Sequence, residues 1–103
     1  MLAVHPLCYQ FLCVFDNIIK FYTKVEKEFV EVWSEQMICT CARYSTNGLL
    51  ALAFLEDSFY QVQVYDCYSY QKIKQISQIF WKSPILRIEW CHLSTCLAVY
   101  SAN

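Results

Sequence analysis

Apolar positions in this chain form short runs of about five to eight residues that are rich in β-branched, aromatic and leucine side chains. Polar segments such as Asp16-Asn17 and Glu56-Asp57-Ser58 separate the runs and have the composition of turns. The pattern therefore predicts an all-β chain, an antiparallel meander. Its expected strands are Tyr9–Phe15, Ile18–Thr23, Phe29–Trp33, Ile38–Tyr44, Leu49–Leu55, Tyr60–Asp66, Ile73–Ile79, Leu86–Trp90 and Cys96–Ser101.

The central strands are apolar on both faces. In Leu49–Leu55, the residues Leu50, Leu52 and Phe54 share one face, and the two alanines, Ala51 and Ala53, share the other. A sheet with one face in water would instead alternate polar with apolar residues. We therefore expect each central sheet to be covered on both sides by its neighbours.

A repeat runs through the sequence. Tyr44 begins the segment Tyr-Ser-Thr-Asn-Gly-Leu-Leu-Ala, and Trp90, 46 residues later, begins Trp-Cys-His-Leu-Ser-Thr-Cys-Leu-Ala. Each segment has an aromatic residue, a polar turn and an apolar strand that opens on Leu-Ala. A second match, 43 residues apart, joins Ile19-Lys20-Phe21-Tyr22 to Val62-Gln63-Val64-Tyr65. Repeats of this length that contain several short strands are typical of β-propeller blades.

One stretch allows a helix as an alternative. Ile18, Tyr22, Val25 and Phe29 fall at steps of three and four, and Lys24–Glu28 is good helix-forming sequence. The repeat and the β-branched residues favour a hairpin that turns within Lys24–Glu28, a charged segment expected in solvent.

Composition narrows the class of protein. The chain has 103 residues, of which 57% are hydrophobic and 17% aromatic, enough for one domain and incompatible with disorder. The formal charge of −1 leaves no basic surface for nucleic acid or anionic lipid. Seven cysteines without a C-x-x-C pair fit reduced thiols in a cytosolic setting. No apolar run reaches the length of a membrane span.

The N-terminal segment has a second interpretation. Leu2 to Phe15 is apolar enough to suggest a signal peptide, but it lacks a positively charged start and contains His5, Pro6 and Gln10. A turn followed by a strand explains this segment better.

The repeated segments resemble the WD-repeat β-propellers. In that family an apolar-x-x-apolar-x-aromatic-Ser-x-x-Gly segment forms a first strand and turn, and residues 39–48 and 85–94 fill this pattern. Tyr65-Asp66 matches the Trp-Asp that ends the third strand, and Tyr22-Thr23 is a degenerate form of it. The Gly-His pair that often precedes a blade is absent, which puts its buried polar network in doubt. The resemblance implies a partial propeller over residues 1–103, with blades at about 5–35 and 37–80 and the start of a third at about 84–103.

Within that family, the order of motifs is most similar to the large axonemal, cilia- and flagella-associated WD-repeat proteins. The resemblance implies a non-catalytic cytoskeletal scaffold in the cytoplasm and ciliary axoneme. It implies as partners the other blades of a propeller, inner-arm dynein complexes and tubulin, with no nucleic acid and no membrane. It also implies that the chain is a fragment, or an incomplete gene model, of a larger protein. The alternative is a non-ciliary propeller scaffold, such as a coat, trafficking or ubiquitin-ligase adaptor.

Few residues suggest chemistry, and we expect no catalytic, metal or cofactor site. Cys39 and Cys41 lie two apart, so a regular strand would place both thiols on one face, where packing explains them better than half a zinc site. His92 beside Cys91 lacks the spacing of a cysteine hydrolase. A single glycine cannot form a phosphate-binding loop.

The aromatic residues have one candidate role in binding. Most of them are expected in cores or between blades, because no lysines and arginines are interleaved with them as base stacking would need. Phe80-Trp81-Lys82, which we expect in a connection between blades, is the candidate partner contact.

Overall fold

The chain folds into three antiparallel β-sheets. The computed structural model describes residues 1–5, 9–66, 72–91 and 97–101, with the backbone alone described for 72–81 and Ser101. Two four-stranded meanders, β1-β2-β3-β4 and β5-β6-β7-β8, are followed by a two-stranded sheet of β9 and β10. The described residues contain no helix. The all-β, antiparallel prediction is therefore confirmed, and the helical alternative for residues 18–33 is wrong.

The strand bounds follow the predicted runs closely. The first sheet contains β1 (Leu2–Val4), β2 (Gln10–Phe15), β3 (Ile18–Val25) and β4 (Glu28–Gln36). The second contains β5 (Ile38–Tyr44), β6 (Leu49–Glu56), β7 (Phe59–Asp66) and β8 (Lys72–Trp81). The third contains β9 (Ile85–Trp90) and β10 (Leu97–Ser101). Cys96, where the last predicted strand began, lies outside the described residues.

Two differences from the predicted strands concern the first sheet. The three residues of β1 were expected outside any strand, yet they pair with β2 through Leu2 and Cys13, Ala3 and Leu12, and Val4 and Phe11. The hairpin between β3 and β4 is confirmed, but its turn is tighter than the five residues expected: only Glu26 and Lys27 lie between the strands.

The tight turns have the backbone that right-handed strand twist requires. Asp16 and Asn17 both have positive φ, at 53° and 60°, and so do Asp57 and Ser58, at 53° and 67°. Positive φ at both central residues is the feature of type I′ turns, which match the twist of the flanking strands. These turns close the β2–β3 and β6–β7 hairpins at the positions where the polar segments predicted them.

The sheets stack face to face, with the second in the middle. Its β6 strand contributes Leu50 and Leu52 to a core shared with the first sheet, and Ala51 and Ala53 to a core shared with the third. All four side chains are at most 1% exposed. The prediction that a central sheet is covered on both sides is therefore confirmed. The two alanines leave room for Ile85 and Ile88 of β9, which are fully buried against this face.

The first core joins the facing sides of the first and second sheets. From the first sheet come Leu12, Ile19 and Phe21, with the indole of Trp33 packed at 4.6 Å from the Phe21 ring. Burial of such aliphatic and aromatic side chains contributes about 1.5–3 kcal/mol each. This core therefore lies between two sheets and holds them together.

The expectation that Cys39 and Cys41 share a face is wrong. A bulge interrupts the β5–β6 pairing at this point, so that Cys39 pairs with Phe54 while Cys41 pairs with the adjacent residue Ala53. The extra residue, Thr40, shifts the alternation by one position. Cys39 consequently packs against the first core, and Cys41 packs against the second.

Candidate interaction surfaces

The sequence repeat is also a repeat of strand register. Tyr44 pairs with Leu50 across β5 and β6, and Trp90 pairs with Leu97 across β9 and β10. The aromatic residue and the leucine of each repeat are therefore cross-strand neighbours at the same place in two successive sheets. The turn inside the second repeat, residues 92–96, lies outside the described residues.

Equivalent strands of the second and third sheets contact each other directly. The indole Nε1 of Trp90 donates to the carbonyl of Arg43 at 3.1 Å, and the Cys41 thiol donates to the carbonyl of Ile85 at 3.8 Å. An ion pair of 3.3 Å joins Arg43 to Glu89, which also accepts from Arg87 at 3.1 Å. These ion pairs are exposed, and such pairs contribute little to stability. The junction depends mainly on its buried core.

A buried polar cluster lies where the first sheet meets the second. His5 is 1% exposed, and its Nε2 lies 3.2 Å from the hydroxyl of Tyr9. Its ring also packs edge-on against the ring of Tyr44, whose hydroxyl donates to Gln10 at 3.0 Å. Burial lowers the pKa of His5 from its usual value because the charged imidazolium would lose its hydration. This arrangement favours the neutral imidazole.

The outer side of the first sheet, which we call the open face, carries exposed apolar side chains beside the Lys20–Glu31 ion pair. Phe15 is 77% exposed, Leu2 64%, Val4 49% and Ile18 40%. Next to them the rings of Phe11 and Tyr22 stack at 4.9 Å. Contiguous apolar surface of this kind marks an interaction site in soluble proteins.

A cleft opens between the first and second sheets, which we call the rim cleft. Its volume is about 160 Å³. It is bounded by the end of β4, the residue that leads into β5, and strands β6 and β7, through Glu35, Gln36, Met37, Phe54, Leu55, Glu56, Gln63 and Tyr65. The residues come from three separate segments of the sequence, so no local sequence pattern indicated this cleft.

The predicted partner segment lies in a different place from the one expected. Phe80 and Trp81 belong to β8 rather than to a connection, because that strand continues two residues beyond Ile79. Only Lys82, which is exposed, lies in the link to β9. The side chains of Phe80 and Trp81 lie outside the described residues, so their role as a partner contact stays a prediction.

The described cysteines have the surroundings of packed thiols. The thiols of Cys13, Cys39, Cys41 and Cys91 are half-buried. Burial raises the pKa of the Cys39 thiol to about 12 and also raises that of Cys41. Among the described residues, no group of three histidine, cysteine or acidic side chains is close enough to hold a metal ion. His92, which follows Cys91 and was not expected to form a hydrolase site with it, lies outside the described residues.

Neither a protein-family model nor a curated protein sequence matches this chain. Within the described part of the chain, no helix has the length and apolar character that a membrane span needs.

Proposed function

We propose that the chain is a non-catalytic scaffold module, a part of a WD-repeat β-propeller that acts through protein–protein contacts. Its three successive sheets would be two blades and the start of a third. In such a fold each sheet contacts only its neighbours and depends on them for burial.

The observation that carries the proposal is that successive sheets stack in one direction. The second sheet turns the face with Leu50 and Tyr65 toward the first sheet, and the third turns the face with Leu97 toward the second. In the first sheet, Phe11 pairs with Tyr22 across β2 and β3, as Leu50 pairs with Tyr65 in the second sheet. The face that carries Phe11 and Tyr22 is therefore the equivalent face of the first sheet, and it is the open face. The repeat supports a further sheet there, added in the same direction.

The test is to compare residues 1–103 alone with the same residues extended by flanking repeats of the parent protein. We expect the isolated chain to be insoluble or molten, and flanking repeats to restore cooperative unfolding with dispersed amide signals. Cooperative, monomeric unfolding of residues 1–103 by themselves would contradict the proposal.

Within this class we propose an axonemal scaffold that holds inner-arm dynein or its tether complexes on doublet microtubules. The support is the resemblance in motif order, and a non-ciliary cytosolic scaffold is the alternative. Tagging the full-length protein in ciliated cells separates the two. Signal along the axoneme is expected, and signal confined to cell-body membranes would reject this location.

The absence of catalysis is part of the proposal and has its own test. A nucleophilic cysteine needs a lowered pKa, and burial moves the pKa of Cys39 and Cys41 in the opposite direction. We expect a thiol-reactive probe to modify all seven cysteines slowly under native conditions. Rapid, selective labelling of one cysteine would support an enzyme instead.

A further inference from the structure

We propose that the rim cleft binds a cationic side chain, a lysine or arginine presented by a partner protein. This inference goes beyond the scaffold role, because it assigns a site and the chemistry of its ligand. It does not depend on how many blades surround these sheets.

Two carboxylates supply the charge of the cleft. Glu35 at the end of β4 and Glu56 at the end of β6 both line it. Neither carboxylate forms an ion pair with a cationic side chain in the described part of the chain. An anionic ligand such as a nucleic-acid phosphate would be repelled here.

The hydroxyl of Tyr65 is a third polar group of the cleft. The side chain is 2% exposed, yet its hydroxyl makes no hydrogen bond within the described residues. Every fully buried side-chain oxygen or nitrogen in that part of the chain has a partner, so this hydroxyl reaches the cleft. Glu35 and Glu56 lie close enough to help raise the pKa of Tyr65 to about 12, a shift caused first by burial. The hydroxyl therefore stays protonated near the two carboxylates.

The walls and the size of the cleft fit one long cationic side chain. Met37, Phe54 and Leu55 provide apolar surface for the methylene groups, while the carboxylates can accept from an ammonium or guanidinium group. Within the described residues no three candidate ligands cluster for a metal ion, and a volume of about 160 Å³ is too small for a folded element. A single inserted side chain fits this volume and needs no cluster of metal ligands.

The test uses the methyl group of Met37 as a probe. It is carried out on residues 1–103 alone or on the chain extended by flanking repeats, whichever of the two is folded. Carbon-13 methyl labelling of methionine gives a signal for Met37, which lines the cleft, and one for Met1, which lies on the opposite edge of the first sheet, next to β1. The ligands are a capped Ala-Lys-Ala tripeptide and its norleucine analogue, which keeps the methylene groups and lacks the charge.

We expect the lysine peptide to shift the Met37 signal saturably, with no effect on Met1 and none from the norleucine peptide. Glu35→Gln combined with Glu56→Gln should weaken binding about tenfold, since each glutamine keeps an acceptor oxygen but lacks the charge that strengthens a hydrogen bond to a cation. Tyr65→Phe should weaken it severalfold. Glu28→Gln, which removes one exposed carboxylate from the β3–β4 hairpin, is the matched control and should leave the affinity unchanged.

Each variant is first required to keep the dispersed amide signals of the parent without peptide, and Tyr65→Phe serves if the double variant does not fold. An unshifted Met37 signal, equal shifts by both peptides, or undiminished affinity in the folded cleft variants would overturn the proposal. None of these results bears on the scaffold proposal, which is decided by comparing residues 1–103 alone with the extended chain.

Discussion

Backbone conformation at single residues has measurable consequences in this chain. Ser58 occupies the left-handed region at φ 67°, where a residue with a Cβ atom is disfavoured by about 1–2 kcal/mol. We expect Ser58→Gly to raise the free energy of unfolding by about 0.5–1 kcal/mol, part of the gain being offset by the greater freedom of glycine in the unfolded chain. Urea denaturation of a folded form of the protein measures this change.

The matched control is Ser83→Gly, which makes the same substitution in the β8–β9 link at a position without positive φ. It removes no strain and should lower stability slightly. Stabilisation of equal size by both variants would show that the left-handed turn is not the cause.

The buried histidine should make stability depend on pH. Because the pKa of His5 is lowered in the folded state, the unfolded chain binds a proton more readily, with an ordinary pKa of about 6.5. The contribution of His5 is therefore fully present above about pH 7. It is lost as pH falls through 6.5 toward the lowered pKa of the folded state, below which His5 adds no further loss.

Thermal unfolding between pH 7.5 and 5 measures the effect. His5→Gln should flatten the profile in this window, and His92→Gln serves as the second histidine variant and should leave the His5 contribution in place. A profile that His5→Gln leaves unchanged would contradict the prediction.

At the scale of elements, most strands could be predicted because apolar runs and polar turns alternate clearly. The short strand β1 could not, since three residues before His5-Pro6 form too short a run to signal a strand. The bulge at Thr40 could not either, because Cys39-Thr40-Cys41 has a regular alternation and only pairing with Ala53 and Phe54 reveals the shift. The rim cleft was equally out of reach, because packing of two sheets assembles it from residues far apart in the sequence.

The junction between β5 and β9 allows a prediction about which contact matters. Trp90→Phe removes the hydrogen bond to the Arg43 carbonyl and should cost about 1 kcal/mol of stability. Glu89→Gln breaks the two exposed ion pairs and should cost about 0.5 kcal/mol or less. Chemical denaturation of both variants checks the order, and a larger loss for Glu89→Gln would show that the ion pairs dominate the junction.

At the scale of the whole molecule, the two sides of the first sheet differ in a way that its strands alone do not explain. Its inner side is buried with the second sheet, where Leu12 and Ile19 are 0% exposed, whereas the open face exposes 77% of Phe15. The apolar run that predicted coverage on both sides, Leu49–Leu55, belongs to the second sheet and not to the first. Which faces are covered depends on how the sheets follow one another, and sequence periodicity carries no information on that.

The open face gives opposite expectations for the short chain and for a longer protein. In residues 1–103 alone, Phe15→Lys should increase the soluble fraction, because it replaces the most exposed apolar side chain of the open face with a charged one. Val25→Lys is the control, since Val25 is 53% exposed at the far end of the β3–β4 hairpin, and it should change solubility less. In a protein with a preceding repeat, Phe15→Lys should instead destabilise by about 2 kcal/mol or more, because the charge would then be buried. If the longer protein tolerates Phe15→Lys as well as Val25→Lys, no further sheet covers the open face, and the one-directional stack ends at β1–β4.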